Sequence, residues 1–117
     1  MLEKILKVKE SFIKEAYEKA CKDWKQKIDI EFPELNLNIY RKGNILWNEE
    51  DKEKNTIILV TETSYDTDSF QGICLLDTKN TKKTVSREWN KNYFNEIAKI
   101  SLDKLDFSFL PKNFKKQ

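Results

Sequence analysis

The sharpest constraint in this chain is a change of hydrophobic period near Ile28. Up to that point Leu2, Ile5, Leu6, Phe12, Ile13, Ala16, Tyr17, Ala20, Trp24 and Ile28 recur at three- and four-residue steps, with neither Gly nor Pro among them. An α-helix returns to the same face every 3.6 residues, so this pattern predicts one amphipathic helix over residues 2–28. At about 1.5 Å per residue it would extend roughly 40 Å, more than a domain of this size needs for packing. Part of it is expected to project towards a partner.

Placing side chains at about 100° per residue gathers the apolar positions on one arc and brings Lys4, Lys7, Lys14, Lys22 and Lys25 within roughly 80° on the opposite pole. These five lysines are the candidate partner-binding residues. Glu18 lies inside the stripe, with Glu15 and Ser11 at its edge, so the charge is diluted. The plain alternative is a solvated face in which Glu15 with Lys19 and Glu18 with Lys22 support the helix by a few tenths of a kcal/mol each. Lys9 falls in the middle of the apolar arc. Either its stem snorkels or the helix face is open there.

After Ile28 the period changes. Leu35, Leu37 and Ile39 alternate with polar residues as in a half-buried strand, and Arg41 to Asn44 supplies a Gly-containing turn. Ile45 to Trp47 reads as a short strand, Asn48 to Asn55 as a polar loop, and Thr56 to Thr63 as a β-branched strand. Its consecutive apolar residues Ile57, Ile58, Leu59 and Val60 predict a central strand covered on both faces. Phe70 to Leu76 pairs back after a turn at Ser64 to Ser69, with Gly72 a bulge or close-packing point. Asp77 to Lys83 reads as a turn, and Thr84 to Arg87 as a short edge strand. Trp89, Tyr93, Phe94, Ile97 and Ile100 return to helical spacing, which predicts a short helix over Glu88 to Ile100. Leu105, Phe107 and Phe109 suggest a final strand before Pro111, followed by a basic tail with Lys112, Lys115 and Lys116.

The fold class expected is α+β: a long N-terminal helix packed on a curved antiparallel sheet or small β-barrel, with a short C-terminal helix and a final strand. At 117 residues the chain can bury one core, so residues 1–117 form a single domain. Within it, 2–28 is the helix, 29–110 the β-rich part with a helix near 88–100, and 111–117 the tail.

Chemistry is constrained by what the chain lacks. It has no histidine, which removes the commonest general base near neutral pH and the Ser-His and Cys-His nucleophile systems. Two glycines are too few for a phosphate-cradling loop. Cys21 and Cys74 lack the paired spacing of a zinc site and read as small apolar residues, with a disulfide as the alternative. No cofactor or metal is expected, and no enzymatic activity. Charge is interspersed from the third residue onward and no apolar run reaches membrane length, so a cytoplasmic location is expected. A net charge of +2 gives no global pull towards nucleic acid, so any electrostatic role must be local.

One catalytic outline remains. Asp66 or Asp68, an apolar strand, and then Asp77-Thr78-Lys79 has the order of a metal-dependent nuclease, in which two carboxylates hold Mg²⁺ and Lys assists water. The same residues also read as an ordinary solvated turn. Tyr40, Trp47, Phe70 and Trp89 could stack bases on a small barrel, although a domain of this size also needs large aromatics in its core.

The stretches ILVTET, SFQGICLLDT and EWNKNYF, with Gly72, Ile73, Cys74, Leu75, Trp89 and Phe94, resemble small β-barrel proteins of phages and mobile elements in low-GC bacteria. Together with the small size, the absent catalytic set and the long lysine-striped helix beside the acidic loop of Glu49, Glu50, Asp51 and Glu53, the resemblance points to a non-enzymatic inhibitor or modulator of the anti-CRISPR or wider anti-defence kind. Its partner would be a larger host protein, such as an RNA-loaded CRISPR nuclease. A toxin-immunity protein, a nucleic-acid-binding regulator and the metal-dependent nuclease stay open beside it.

Overall fold

In the computed structural model the described residues are 2–24, 27–32, 39–51, 56–64, 66–76 and 86–101. Helix α1 runs Leu2–Trp24 and is followed, among the described residues, by six strands: β1 Ile30–Glu31, β2 Asn44–Asn48, β3 Ile57–Thr63, β4 Ser69–Cys74, β5 Arg87–Asn90 and β6 Phe94–Ile100. They form one antiparallel sheet in the order β1-β6-β2-β3-β4-β5. The α+β class is as expected.

The helix stops at Trp24, short of Ile28. Residues 27–29 are non-helical, and Ile28, though buried, packs from outside the helix. Its backbone N–H donates to the Tyr17 hydroxyl, which ties the chain leaving α1 back onto the helix. Twenty-three residues make a helix about 35 Å long.

The helix covers one face of the sheet. Ile13, Ala16 and Ala20 are buried against Ile45, Ile57, Leu59, Ile73, Leu75, Ile97, Ala98 and Ile100, with Phe12 and Tyr17 packed at the margin. A second cluster, on the other face, holds Leu46, Ile58, Val60, Phe70 and Phe94 beneath Ile39, Tyr40 and Trp89. Side chains alternate across a strand, so Ile57 and Leu59 serve the first core while Ile58 and Val60 serve the second. This double burial is why β3 reads as an unbroken apolar run, and it agrees with the central, two-sided strand expected there.

Two glycines take the roles that their positions require. Gly43 has φ 93°, in the left-handed region, within the turn leading into β2. Its N–H donates to the Val60 carbonyl at 2.8 Å and its carbonyl accepts from the Ile100 N–H at 2.7 Å, linking β3 and β6. Gly72 is a close-packing point, as expected. The register irregularity of this strand pair falls opposite it, between Val60 and Glu62 on β3.

The short helix expected over Glu88 to Ile100 is not formed. The segment is β5, a 3-10 turn at Lys91–Tyr93, and β6. Asn90 caps the turn, its side chain accepting from the Asn92 N–H at 2.9 Å; Asn residues favour such local bonds over helix interiors. The three-residue spacing of Phe94, Ile97 and Ile100 has a different origin. Phe94 serves the second core and Ile97, Ala98 and Ile100 the first, and the bulge at Ile97 shifts the alternation, so apolar residues fall three apart within a strand.

Among the described residues the sheet is open, with β1 and β5 at its edges, so it is not the closed barrel named among the expectations. It is nevertheless strongly curved. Only Lys91–Tyr93 separates β5, at one edge, from β6, near the other, and Phe70 on β4 meets Phe94 on β6 with ring centroids 5.5 Å apart. Of the remaining expectations, Ile39 lies in a turn; Thr84 and Val85 of the expected edge strand lie outside the described residues, and the described edge strand is Arg87–Asn90. The strand residues Leu35 and Leu37, the final strand and the basic tail lie outside the described residues.

Candidate partner-binding surface

The side of α1 turned away from the sheet carries Lys4, Lys7, Lys14 and Lys22, all exposed. Lys25 lies outside the described residues. With a rise of about 1.5 Å per residue, Lys4 and Lys22 are roughly 27 Å apart along the axis. Lys14 is engaged: its Nζ lies 2.9 Å from Glu10 Oε1, one turn back, with Lys14 exposed and Glu10 part-buried. Glu15 and Glu18 are exposed on the same side. The surface is therefore positive in its first two turns, through Lys4 and Lys7, and of mixed sign towards its C-terminal end. The N-terminus of a helix dipole adds to the positive end.

Lys9, on the apolar arc, bridges α1 to the sheet. Its Nζ sits 3.9 Å from the centroid of the Trp47 ring on β2, a cation-π contact that lets the stem lie over apolar surface while the ammonium stays at its border. Beside it Val8, Lys9, Phe12, Trp47, Ile57 and Ile97 line a cleft of about 20 Å³, room for one water or a methyl group. Val8 at its rim is 58% exposed. A small apolar notch thus adjoins the lysine-rich end of the helix.

The aromatic residues considered for base stacking are used in packing. Phe70 is buried, 5.4 Å from Tyr40 and at right angles to Phe94. The Trp89 Nε1–H donates to the Gly72 carbonyl at 3.0 Å, and its ring meets Phe94 edge-on. The Tyr40 hydroxyl donates to the Lys91 carbonyl, and burial pushes its pKa up. Trp47 lies half-buried beneath Lys9. This is not an exposed platform.

Asp66 and Asp68 are exposed in the β3–β4 turn, while Asp77, Thr78 and Lys79 lie outside the described residues. Among the described residues no three Cys, Asp or Glu side chains gather closely enough to hold a metal ion. No helix there is long and apolar enough to cross a membrane.

One residue escaped the sequence reading. Glu96, on β6, is 8% exposed, and neither of its carboxylate oxygens has a hydrogen-bond partner. Burial pushes its pKa up, opposed by the positive charges of Lys99 and Arg41. Nothing in the local sequence marks it, because a Glu within a supposed helix is unremarkable. Comparison with known proteins gives no family model, no curated protein and no solved structure that matches this chain.

Proposed function

We propose that this protein is a non-catalytic binding module that holds a larger partner on the outward side of α1 and acts as its inhibitor or modulator. The observation that carries the reading is the one-sided packing of α1: the sheet covers Ile13, Ala16 and Ala20, while Lys4, Lys7, Lys14 and Lys22 stand in solvent on the opposite side. Such a surface suits an anionic partner. In the anti-CRISPR-like form of this reading the partner is a host nuclease complex, and the opposing charge comes from its acidic residues or from the phosphates of its RNA. The notch beside Val8 and Lys9 would accept a small aliphatic side chain from the same partner.

The test uses the full chain as bait in a host lysate, wild type against Lys4→Glu/Lys7→Glu/Lys22→Glu. These three positions avoid Lys14, which is already paired with Glu10. The captured partner is then purified and its affinity measured at several ionic strengths, with circular dichroism as a folding control. The expected result is loss of association with the fold retained. If phosphates supply the opposing charge, each lost contact reduces the salt slope of log affinity by roughly 0.7 to 0.9. A protein surface gives a shallower dependence. Equal affinity of the triple variant removes this face as the binding surface.

A further inference from the structure

Glu96 stands out because buried side-chain polar atoms nearly always have a hydrogen-bond partner, and an ionised carboxylate without one costs more than any neutral group. Both of its oxygens lack one. The charged form therefore does not fit the site as it stands. Register supplies an independent observation. Ile45 on β2 pairs with Ala98 but Leu46 pairs with Glu96, which leaves Ile97 as the extra residue of a bulge directly after Glu96. A bulge interrupts the ladder and re-aims the side chains beside it, so Glu96 is held at the least regular point of the β2–β6 pair.

The groups around it are few. Lys99 on β6 itself and Arg41 in the turn before β2 are the cations whose fields favour the ionised form. That turn also contains Tyr40 and Lys42; β2, from Asn44 to Asn48, brings only uncharged side chains, while β1, on the other side of β6, brings the exposed Glu31 opposite Lys99. Arg41 is exposed and makes no hydrogen bond or ion pair with the buried carboxylate.

We propose that Glu96 is a proton-linked latch on the second face of the sheet. Neutral, it closes the β2–β6 bulge. Ionised, it must leave its buried position for water or for the Arg41 guanidinium, and the packing of Leu46 and Phe94 loosens with it. The direction of the effect follows from burial. A carboxyl that ionises at higher pH in the fold than in the unfolded chain keeps a proton that the unfolded chain has already released. The contribution of Glu96 to stability is then greatest at low pH and falls as pH rises from the ordinary carboxylate range through the folded value.

The test is made on the full chain. Carbon NMR of the glutamate carboxyls, with Glu96 assigned by Glu96→Gln, is expected to show Glu96 titrating at higher pH than the exposed glutamates. Over the same interval the Tm of the wild type should fall relative to that of Glu96→Gln. Above it, the Leu46 and Phe94 amides should exchange faster in the wild type. Titration together with the exposed glutamates, a Tm difference that stays constant with pH, or equal exchange in the two proteins would overturn the latch. If Glu96→Gln does not fold, Glu96 is assigned through its own backbone amide by triple-resonance NMR, and protection factors at Leu46 and Phe94, which remove the intrinsic pH dependence of exchange, decide the matter: protection that does not fall across the Glu96 midpoint overturns the latch.

Discussion

A Cβ added at Gly72 would lie 2.3 Å from Ile58 Cγ2 and 3.0 Å from the Leu59 carbonyl oxygen. Neither neighbour can yield easily, since Ile58 is fully buried and Leu59 belongs to the central strand. Gly72→Ala is accordingly expected to destabilise the fold by about 1–3 kcal/mol through overpacking, read from the midpoint of urea unfolding. An unchanged midpoint would mean that β3 and β4 can move apart at no cost. The special status of Gly72 was legible in the sequence, because a glycine between apolar residues in a strand marks a bulge or a close approach. The status of Lys9 was half legible. The helical wheel placed it on the apolar arc, but only the position of β2 puts the Trp47 ring 3.9 Å beneath its ammonium. Glu96 was not legible, since its burial depends on a pairing with Leu46, which is fifty positions earlier in the chain.

At the scale of elements, α1 is the part whose sequence and structure agree most closely. Its apolar residues repeat over many turns, so the helical period accumulates enough matches to decide against any other conformation. Ile13 is fully buried in the first core while Lys14, the next residue, is exposed and paired with Glu10. Ile13→Ala is expected to cost about 2–5 kcal/mol and Lys14→Ala less than about 0.5, both measured by chemical denaturation. Similar costs at the two positions would contradict the packed face assigned to the helix. The segment 88–100 shows the opposite situation. It is short, rich in Asn and apolar on both faces, so its spacing satisfies a helical template by coincidence. Pairing with β2 decides in favour of the strand, because β6 sits between β1 and β2 and completes their backbone hydrogen bonds.

The whole molecule is held in its curved form by contacts between distant parts of the chain. The 3-10 turn between β5 and β6 is fixed by the Tyr40 hydroxyl on the Lys91 carbonyl, by the Lys91 ammonium on the Ser64 carbonyl, and by the Lys91 N–H on the Asp68 carbonyl at 2.8 Å. Tyr40→Phe keeps the ring on Phe70 and removes only the hydroxyl. It is expected to cost about 0.5–1.5 kcal/mol and to speed hydrogen exchange in residues 91–94, with little change in α1. Uniform acceleration throughout the protein would show that the turn is not a separate clamp. The sequence by itself determined α1, the apolar central strand β3, the glycine turn before β2 and the α+β class, because these follow from side-chain periodicity and backbone preferences within a few residues. Tertiary structure alone decided that β6 is a strand and that the sheet curls without closing among the described residues. It also decided that Tyr40, Phe70, Trp89 and Phe94 face one another and that Glu96 is enclosed. Each of these depends on which distant strands share hydrogen bonds and which face of the sheet they turn towards α1, and no local pattern of residues encodes that.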